Sequence, residues 1–227
     1  MNDFMATYLP NVIKFWDIIE QSIFETIYMV GVSLFFSALI GIPLGVLLVV
    51  TSRNHLLPLP AINQLLGLVV NVFRSIPYIV LIILLIPFSR LLIGTSIGPE
   101  AAIISLVVGS APFIARLVET AIREVNRGVI EAAQSMGATN WQIIRKILIP
   151  ESLPAIVSGT TVTAVGLIGY SAMAGVVGAG GLGAVAFNYG FNGFKPDIMI
   201  VTTIFLIILV QGVQMIGDLI ARKLDHR

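Results

Sequence analysis

The chain has 227 residues, of which 57% are hydrophobic and only 11% are charged. A soluble domain carries about 25% charged residues, so this composition indicates an integral membrane protein. The formal net charge is +1, and the thirteen Lys and Arg residues mostly flank apolar segments, which gives no support for a nucleic-acid partner. The sequence contains no cysteine, which excludes disulfides, thiolate catalysis and thiolate metal sites.

The N-terminal residues predict no cleaved signal peptide, because a basic region followed by an apolar core and a small-residue cleavage site is missing. Apolar side chains of residues 11–27 fall on one helical face, and Trp16 is of the type found at lipid headgroups. Two interpretations stay open: a helix on the membrane surface, or an extension of the first membrane span. We treat residues 1–25 as an external or interfacial segment.

Long apolar segments predict five transmembrane helices, since one crossing needs about 20 apolar residues. The first predicted span contains Gly41 and Gly45, whose GxxxG spacing favours close approach of another helix. Small residues lie on several faces of the fourth, which predicts tight packing. The five predicted spans are residues 26–50, 59–88, 101–122, 153–177 and 198–217.

Segments between the spans are predicted to be loops. Residues 87–100 follow the second span and contain Gly98 and Pro99, a plausible helix start. The glycine-rich residues 178–193 are predicted to form an irregular loop. Residues 223–227 are predicted to be a short tail.

Arginine side chains stand out in the predicted spans. An arginine near the centre of a membrane helix costs about 2.5 to 3.5 kcal/mol, so Arg74 should face protein or water. It could line a polar pathway, hold a bend at Pro77, or extend its guanidinium from a tilted helix towards the interface. In the third span, Arg116 and Glu119 are three residues apart and can form an ion pair.

Residues 131–150 form the most polar long segment between the first and last strongly apolar segments, and they lie within a predicted loop of residues 123–151. Asn126 is a candidate helix N-cap, and Gly137 stands where a left-handed helix stop is expected. Thr139 and Gln142 have the spacing of a capping box, and Pro150 is expected to end the second helix at or before Ile149. This pattern suits either a simple connector between spans or a rigid element that docks into a partner.

The distribution of positive charge predicts the orientation. With an external N-terminus and a cytoplasmic C-terminus, eight basic residues are cytoplasmic and three are external. The positive-inside rule favours this arrangement, which places residues 123–151 in the cytoplasm. The cytoplasmic set is Arg53, Arg123, Arg127, Arg145, Lys146, Arg222, Lys223 and Arg227, and the external set is Lys14, Arg90 and Lys195.

Motifs for catalysis are missing from the sequence. Residues 178–183 match GxGxxG but follow an apolar helix rather than a strand, so a dinucleotide site is rejected. No GxxxxGK[ST] segment occurs, and His55 and His226 lie outside the spans, which leaves no serine triad or HExxH metal site. The chain is therefore predicted not to be an enzyme, and no bound metal or cofactor is expected.

The polar segment resembles the EAA loop of ABC importer permeases. Glu131, Ala132 and Ala133 are followed after three residues by Gly137 and, further on, by Pro150 at the family spacing. The usual Leu before the proline is replaced here by Ile149, which keeps an apolar side chain. The resemblance implies a type I importer permease fold: all-α, five transmembrane helices, and a cytoplasmic coupling helix that sits in a groove of an ATPase subunit. Residues 26–222 would form this transmembrane domain.

Four further segments resemble the methionine-importer permeases, and with residues 178–183 they cover most of the chain from 70 to 189. They are NVFRSIP, GTSIG, APFIAR and GYSAM. The resemblance implies a homodimer of permeases in a bacterial plasma membrane, with two ABC ATPase subunits that use ATP and Mg, and an external substrate-binding protein. Lipid surrounds the spans, and methionine, in either enantiomer, would be the cargo.

The resemblance also implies roles for particular residues. The expected contacts with the ATPase are Glu131, Ala132, Ala133, Ser135, Met136, Gly137 and Ala138. The candidates for the translocation pathway are Arg74, Ser75, Tyr170, Ser171 and Met173, although Tyr170 and Met173 could equally be packing residues.

Three alternatives remain at this point. The cargo could be another amino acid or a small sulfur compound, which competition for the binding protein would reveal. An ion-coupled secondary transporter would need no ATP, but no span carries a carboxylate near its centre and no inverted repeat is apparent. A membrane scaffold would show no flux in vesicles.

Overall fold

The structure is a computed structural model, and it describes residues 9–225. Ten α-helices and two π-helical turns are formed in this part of the chain. In chain order they are α1 (Pro10–Lys14), α2 (Trp16–Val50), α3 (Pro60–Ser75), α4 (Tyr78–Ile93), α5 (Pro99–Arg123), α6 (Arg127–Ser135), α7 (Asn140–Ile143), π1 (Ile144–Leu148), α8 (Ile149–Val176), α9 (Gly181–Val185), π2 (Ala186–Phe191) and α10 (Pro196–Leu224). Residues 1–8 of the predicted N-terminal segment, together with His226 and Arg227, lie outside the described residues.

In the part of the chain that the structure describes, four helical segments are long and apolar enough to cross a membrane: Trp16–Val50, Pro99–Arg123, Asn140–Val176 and Pro196–Leu224. The pair α3 and α4 gives a fifth span if it is counted as one broken crossing. The break falls at Ile76 and Pro77, where the backbone turns extended. Five crossing segments were predicted, and the predicted second span of residues 59–88 proves to be two helices.

Helices continue further than the sequence pattern indicates at three places in the chain. A single helix, α2, runs through residue 25, which fits the interpretation of residues 11–27 as an extension of the first span. Pro87 lies inside α4, which ends instead at Gly94, a left-handed residue whose N–H donates to Arg90 O at 3.0 Å. At the other end of the chain, α10 continues to Leu224 and includes part of the predicted tail.

The glycine-rich residues 178–193 are largely helical, which corrects the prediction of a loop. The N-terminus of α9 is held by side chains of α2: the Glu25 carboxylate accepts from Gly181 N–H at 2.7 Å, and the Thr26 hydroxyl accepts from Leu182 N–H at 2.9 Å. A carboxylate at a helix N-terminus satisfies free N–H groups and the helix dipole. These two long-range bonds allow a segment of low helix propensity to form a helix.

The chain divides into two compact units. Unit 1 contains residues 1–35, Pro77–Val108 and Ala164–Gln214. Its core is apolar, and its central members include Met29, Ile82, Leu106 and Leu167. In the same unit, the Asp197 carboxylate accepts from the backbone N–H and the side-chain amide of Asn11, at 2.9 and 3.1 Å, which ties α1 to α10.

Unit 2 contains Phe36–Ile76, Gly109–Thr163 and Met215–Arg227. Here α2 and α5 approach closely, as the GxxxG pair predicted. A Cβ atom placed on Gly41 would stand 2.7 Å from Ala111 O, and one on Gly45 would stand 2.5 Å from Ala115 O. Ser37 and Ser110 share a hydrogen bond of 2.5 Å between the same helices. The absence of two Cβ atoms therefore sets the spacing of this helix pair.

Candidate functional site

The polar segment between α5 and α8 folds as a helical hairpin, which we call the coupling hairpin (residues 126–148). Its first helix, α6, is capped as the sequence predicted: the Asn126 side chain accepts from Gly128 N–H at 2.8 Å. Helix α6 then ends in a left-handed turn at Gly137, whose φ is +78°. Gly137 N–H donates to Gln134 O at 2.9 Å, and Ala138 N–H donates to Ala133 O at 3.0 Å, which is the hydrogen-bond pair of a Schellman motif.

The second half of the hairpin starts with the predicted capping box. Gln142 N–H donates to the Thr139 hydroxyl at 3.3 Å, and Thr139 N–H donates to the Gln142 side-chain oxygen at 2.8 Å. Pro150 does not end this helix, which corrects the prediction. The backbone continues through the π-helical turn π1 into α8, and Ile149 N–H bonds to Ile144 O, five residues back. The π1 turn lies just before Pro150, and the chain stays helical across the proline.

One face of the hairpin packs against the rest of unit 2, to which the hairpin belongs. Ala133, Ile143 and Leu148 are buried, and the Asn140 side-chain amide donates to Leu56 O at 3.1 Å. Glycine at 137 and caps at both helix starts hold the turn, while these contacts hold the whole element against the body. The hairpin is therefore rigid in its internal geometry and attached at its base.

The opposite face of the hairpin is exposed and partly apolar. Met136 is 81% exposed and Trp141 is 67% exposed. A large aromatic side chain that projects from a polar segment is typical of the anchor residues of protein interfaces. The sequence reasoning missed Trp141, although an isolated Trp in a polar segment was an available signal.

The structure divides the predicted coupling residues between the two faces. Ala133 is buried at the base and Ala138 is half-buried. The Ser135 hydroxyl donates back to Glu131 O at 2.9 Å. The residues available to a partner are Glu131, Ala132, Ser135, Met136 and Gly137.

A cavity of about 450 Å³ opens beside α6. Its polar lining includes His55, Arg127 and Glu131, and its apolar lining includes Leu56 and Ile130. The His55 Nδ1 atom is buried and has no hydrogen-bond partner among residues 9–225. Burial, followed by the nearby positive charges of Arg123 and Arg127, lowers the pKa of His55 below 6.5.

This lowered pKa predicts a loss of stability in acid. Protonation of His55 is less favourable in the folded chain than in the unfolded chain, so no stability is lost above pH 6.5, and stability falls as the pH drops below that value. We expect the thermal unfolding temperature of the purified protein to fall between about pH 7.5 and about pH 5.5, and His55→Gln to reduce that fall. An equal fall in both proteins would contradict this assignment.

The pathway candidates of unit 1 lie on α8. Tyr170 is 38% exposed and Met173 is 48% exposed. The Tyr170 ring stacks on Tyr78 at a centroid distance of 4.6 Å, and Tyr78 shares a hydrogen bond of 3.1 Å with Ser105. Ser171 is buried and donates to Ile168 O at 2.8 Å. Of these three candidates, only Tyr170 and Met173 are accessible in this structure.

The pathway candidates of unit 2 lie at the C-terminal end of α3. Arg74 and Ser75 are both exposed. The Ser75 hydroxyl donates to Asn71 O at 2.8 Å, and the Arg74 guanidinium carbon lies 5.8 Å from the centroid of the Phe113 ring, a cation–π distance. The contact of Arg74 with Phe113 on α5 was not expected on the basis of the sequence.

A charged cluster on α5 includes the predicted ion pair. The Arg116 guanidinium lies 2.5 Å from the Glu119 carboxylate, and Arg123 donates to the same carboxylate at 2.9 Å. Glu119 is only 6% exposed, and two guanidinium groups satisfy its charge. Arg116 also donates to the Asn71 side-chain oxygen at 3.0 Å, which joins α5 to α3. Within residues 9–225, no group of His, Cys, Asp and Glu residues could hold a metal ion.

Comparisons with known proteins show the family of this chain. Residues 41–227 match the family of binding-protein-dependent transport system inner membrane components. A methionine import system permease protein of Bacillus subtilis (strain 168) is 51% identical over 222 residues, which cover 97% of this chain and 98% of that protein. A probable D-methionine transport system permease protein of Vibrio cholerae is 50% identical over 211 residues, covering 93% of this chain and 94% of that protein.

The fold matches a solved structure of the MetNI methionine ABC transporter in inward-facing conformations. The TM-score is 0.92 at 46% sequence identity, and the match covers 94% of this chain and 99% of the other. The prediction of an all-α type I ABC importer permease is confirmed by this match. The family match over residues 41–227 shows that the chain belongs to the binding-protein-dependent transport system inner membrane components.

Proposed function

We propose that this chain is the permease subunit of an ATP-driven ABC importer that takes up methionine, L and D, from an external substrate-binding protein. The observation that carries the proposal is the agreement over nearly the whole chain with permeases named for methionine. The fold of the MetNI methionine transporter, matched at a TM-score of 0.92, supports it.

The proposed assembly contains two copies of this chain and two ATPase subunits. ATP and Mg are used by the ATPases, because this chain carries no nucleotide-binding motif. The two permeases pair largely through α8 and α10 in a bacterial plasma membrane. The N-terminus is external, and the coupling hairpin and the C-terminus are cytoplasmic.

The coupling hairpin transmits the movement of the ATPases. Its exposed face enters a groove of the ATPase, and closure of the two ATPases moves the spans between inward-open and outward-open states. Such a change requires contacts that differ between the two states, and a rigid hairpin is a suitable place for them. Arg74, Ser75, Tyr170 and Met173 line the route of the cargo.

Reconstitution tests the proposed cargo. The permease and its ATPase are placed in liposomes, and the loaded binding protein is supplied outside with labelled L- or D-methionine. We expect uptake that requires ATP and is reduced by unlabelled methionine but not by other amino acids. Uptake without ATP, or equal competition by an unrelated amino acid, would refute the proposal.

Truncation of Trp141 tests the exposed face of the coupling hairpin that carries Met136 and Trp141, which we call the docking face. We expect Trp141→Ala to weaken binding of the ATPase by about 2 kcal/mol or more, roughly thirty-fold in Kd, since a buried interface Trp is commonly worth this much. The control is Phe194→Ala, because Phe194 is 91% exposed and belongs to unit 1. Equal binding by the Trp141→Ala and Phe194→Ala proteins, measured by titration in detergent, would exclude Trp141 from the interface.

A further inference from the structure

Two side-chain contacts align α3 with α5 in unit 2. Asn71 contacts Arg116 at 3.0 Å, and Arg74, one turn later on α3, contacts Phe113, one turn earlier on α5. From the first contact to the second, the residue number increases on α3 and decreases on α5. The two helices therefore run antiparallel. The second contact places the Arg74 guanidinium over the Phe113 ring.

The position of Phe113 along α5 allows the depth of this guanidinium to be inferred from helix geometry. Phe113 is ten residues before Arg123, the last residue of α5, so it lies about 15 Å from that end of the helix at about 1.5 Å per residue. The hydrocarbon core of a bilayer is about 30 Å thick. If α5 crosses with its end at the interface, the Arg74 charge lies near the middle of the membrane.

The charged side chains of α3 and of the unit 2 part of α5 are three arginines and one carboxylate, so their charges are not balanced. Arg116 and Arg123 share the Glu119 carboxylate. Arg74 has no carboxylate within ion-pair distance in residues 9–225, and it is exposed. A guanidinium at this depth is costly unless it faces water or an anion, and its planar fork of N–H donors suits carboxylate and phosphate oxygens.

On the basis of the proposed function, we propose that Arg74 is the residue that receives the α-carboxylate of the amino acid during its passage through the membrane. Phe113 supports the guanidinium from one side, and the Asn71–Arg116 bond is a positioning contact that holds α3 in register with α5. Phosphate groups of phospholipids offer the same anionic chemistry, and the experiment separates these two sources.

A carboxylate contact alone does not distinguish enantiomers. L- and D-methionine carry the same carboxylate, and they differ in where the ammonium and the side chain point from it. Arg74 can therefore serve both. The inference predicts that substitutions of Arg74 reduce the uptake of the two enantiomers by similar factors.

The test uses the complete importer in liposomes, with Arg74→Lys and Arg74→Gln variants. Arg74→Gln should lower methionine uptake about ten-fold or more, because a hydrogen-bonded ionic contact is lost, and Arg74→Lys should fall between Gln and Arg. The matched control is Arg90→Gln, since Arg90 is an exposed arginine in the last turn of α4. Co-purification with the ATPase and ATP hydrolysis without substrate show that each variant is folded.

A photoreactive diazirine analogue of methionine, which keeps the α-carboxylate and the α-ammonium, gives the direct readout. After illumination during turnover, we expect labelled peptides that contain residues 71–77 or Phe113 in the natural protein and their loss in Arg74→Gln. Native mass spectrometry of the same proteins measures bound phospholipid. Loss of a bound phospholipid in Arg74→Gln, with unchanged photolabelling, assigns the anion to lipid and overturns the inference.

Failure of the inference and failure of the proposed function give different results. Uptake of methionine by the natural importer, with full uptake by Arg74→Gln, refutes the role of Arg74 alone. Absence of methionine uptake by the natural importer refutes the proposed cargo. The ratio of Arg74→Gln to natural uptake, measured with whichever amino acid is transported, then still decides whether Arg74 receives a carboxylate.

Discussion

Replacement of Gly137 by proline is expected to reduce ATP-driven uptake at least about ten-fold while the chain still inserts into the membrane. Proline fixes φ near −65°, whereas Gly137 has a φ of +78°. Proline also removes the N–H that donates to Gln134 O. The turn between α6 and α7 cannot form, and Met136 and Trp141 lose the relative orientation that the proposed docking requires. Uptake in liposomes and co-purification with the ATPase measure the effect.

Milder substitutions at Gly137 separate backbone conformation from steric fit. A Cβ atom at this position meets no atom within 4 Å, so only the left-handed conformation is at issue. Asn adopts this conformation more readily than Ala, for which the cost is about 1 to 2 kcal/mol. The expected order of activity is Gly, Asn, Ala and Pro. An active proline variant, or an Ala variant better than Asn, would show that this turn does not govern coupling.

Alanine at Gly45 is expected to destabilise unit 2 by about 1 to 3 kcal/mol, the usual cost of overpacking. The added methyl group would overlap Ala115 O and the Val118 side chain, both within 2.6 Å. The backbone oxygen cannot move without shifting α5. Valine at the same position should abolish the folded protein, because two further carbon atoms enter the same gap.

A glycine on the same helix provides the control for this packing effect. A Cβ atom on Gly31 meets nothing within 4 Å, and Gly31→Ala should be neutral or stabilising, since Ala is the better helix former by up to about 1 kcal/mol. Thermal unfolding in detergent compares the two variants directly. Equal unfolding temperatures for Gly31→Ala and Gly45→Ala would contradict the close approach of α2 and α5.

Much of the coupling hairpin could be predicted from sequence because its determinants are local. Asn126, Thr139 with Gln142, and Gly137 each act within three or four residues, and the structure contains all of these caps and turns. The Arg116–Glu119 pair is local in the same way. Short-range hydrogen bonds can be predicted from the spacing of residue types in the sequence. The Asn71–Arg116 bond joins residues 45 positions apart, and no such spacing predicts it.

The errors have a common cause, which is that helices in this chain tolerate residues that usually end them. Pro87 and Pro150 lie within continuous helical segments, and glycines 181 and 183 begin a helix. A membrane penalises unpaired backbone groups strongly. The chain therefore keeps its helical hydrogen bonds, and backbone groups left unpaired bond to groups that lie close in space. At Gly181 the backbone N–H donates to the carboxylate of Glu25, which is 156 residues away in the sequence, and no local pattern reveals this bond.

The π-helical turn at Ile144–Leu148 sets the rotation of the hairpin about the helix axis relative to α8. A π turn is an α-helix with one residue inserted, and here it lies within a continuous helical stretch of 37 residues, Asn140–Val176. Deleting one residue from the turn would restore a regular α-helix and rotate everything before it by about 100° relative to α8. Trp141 would then point away from its present direction although every side chain of the docking face remained. The length of this turn, as much as the identity of the residues around it, sets the direction in which the protein presents its docking face.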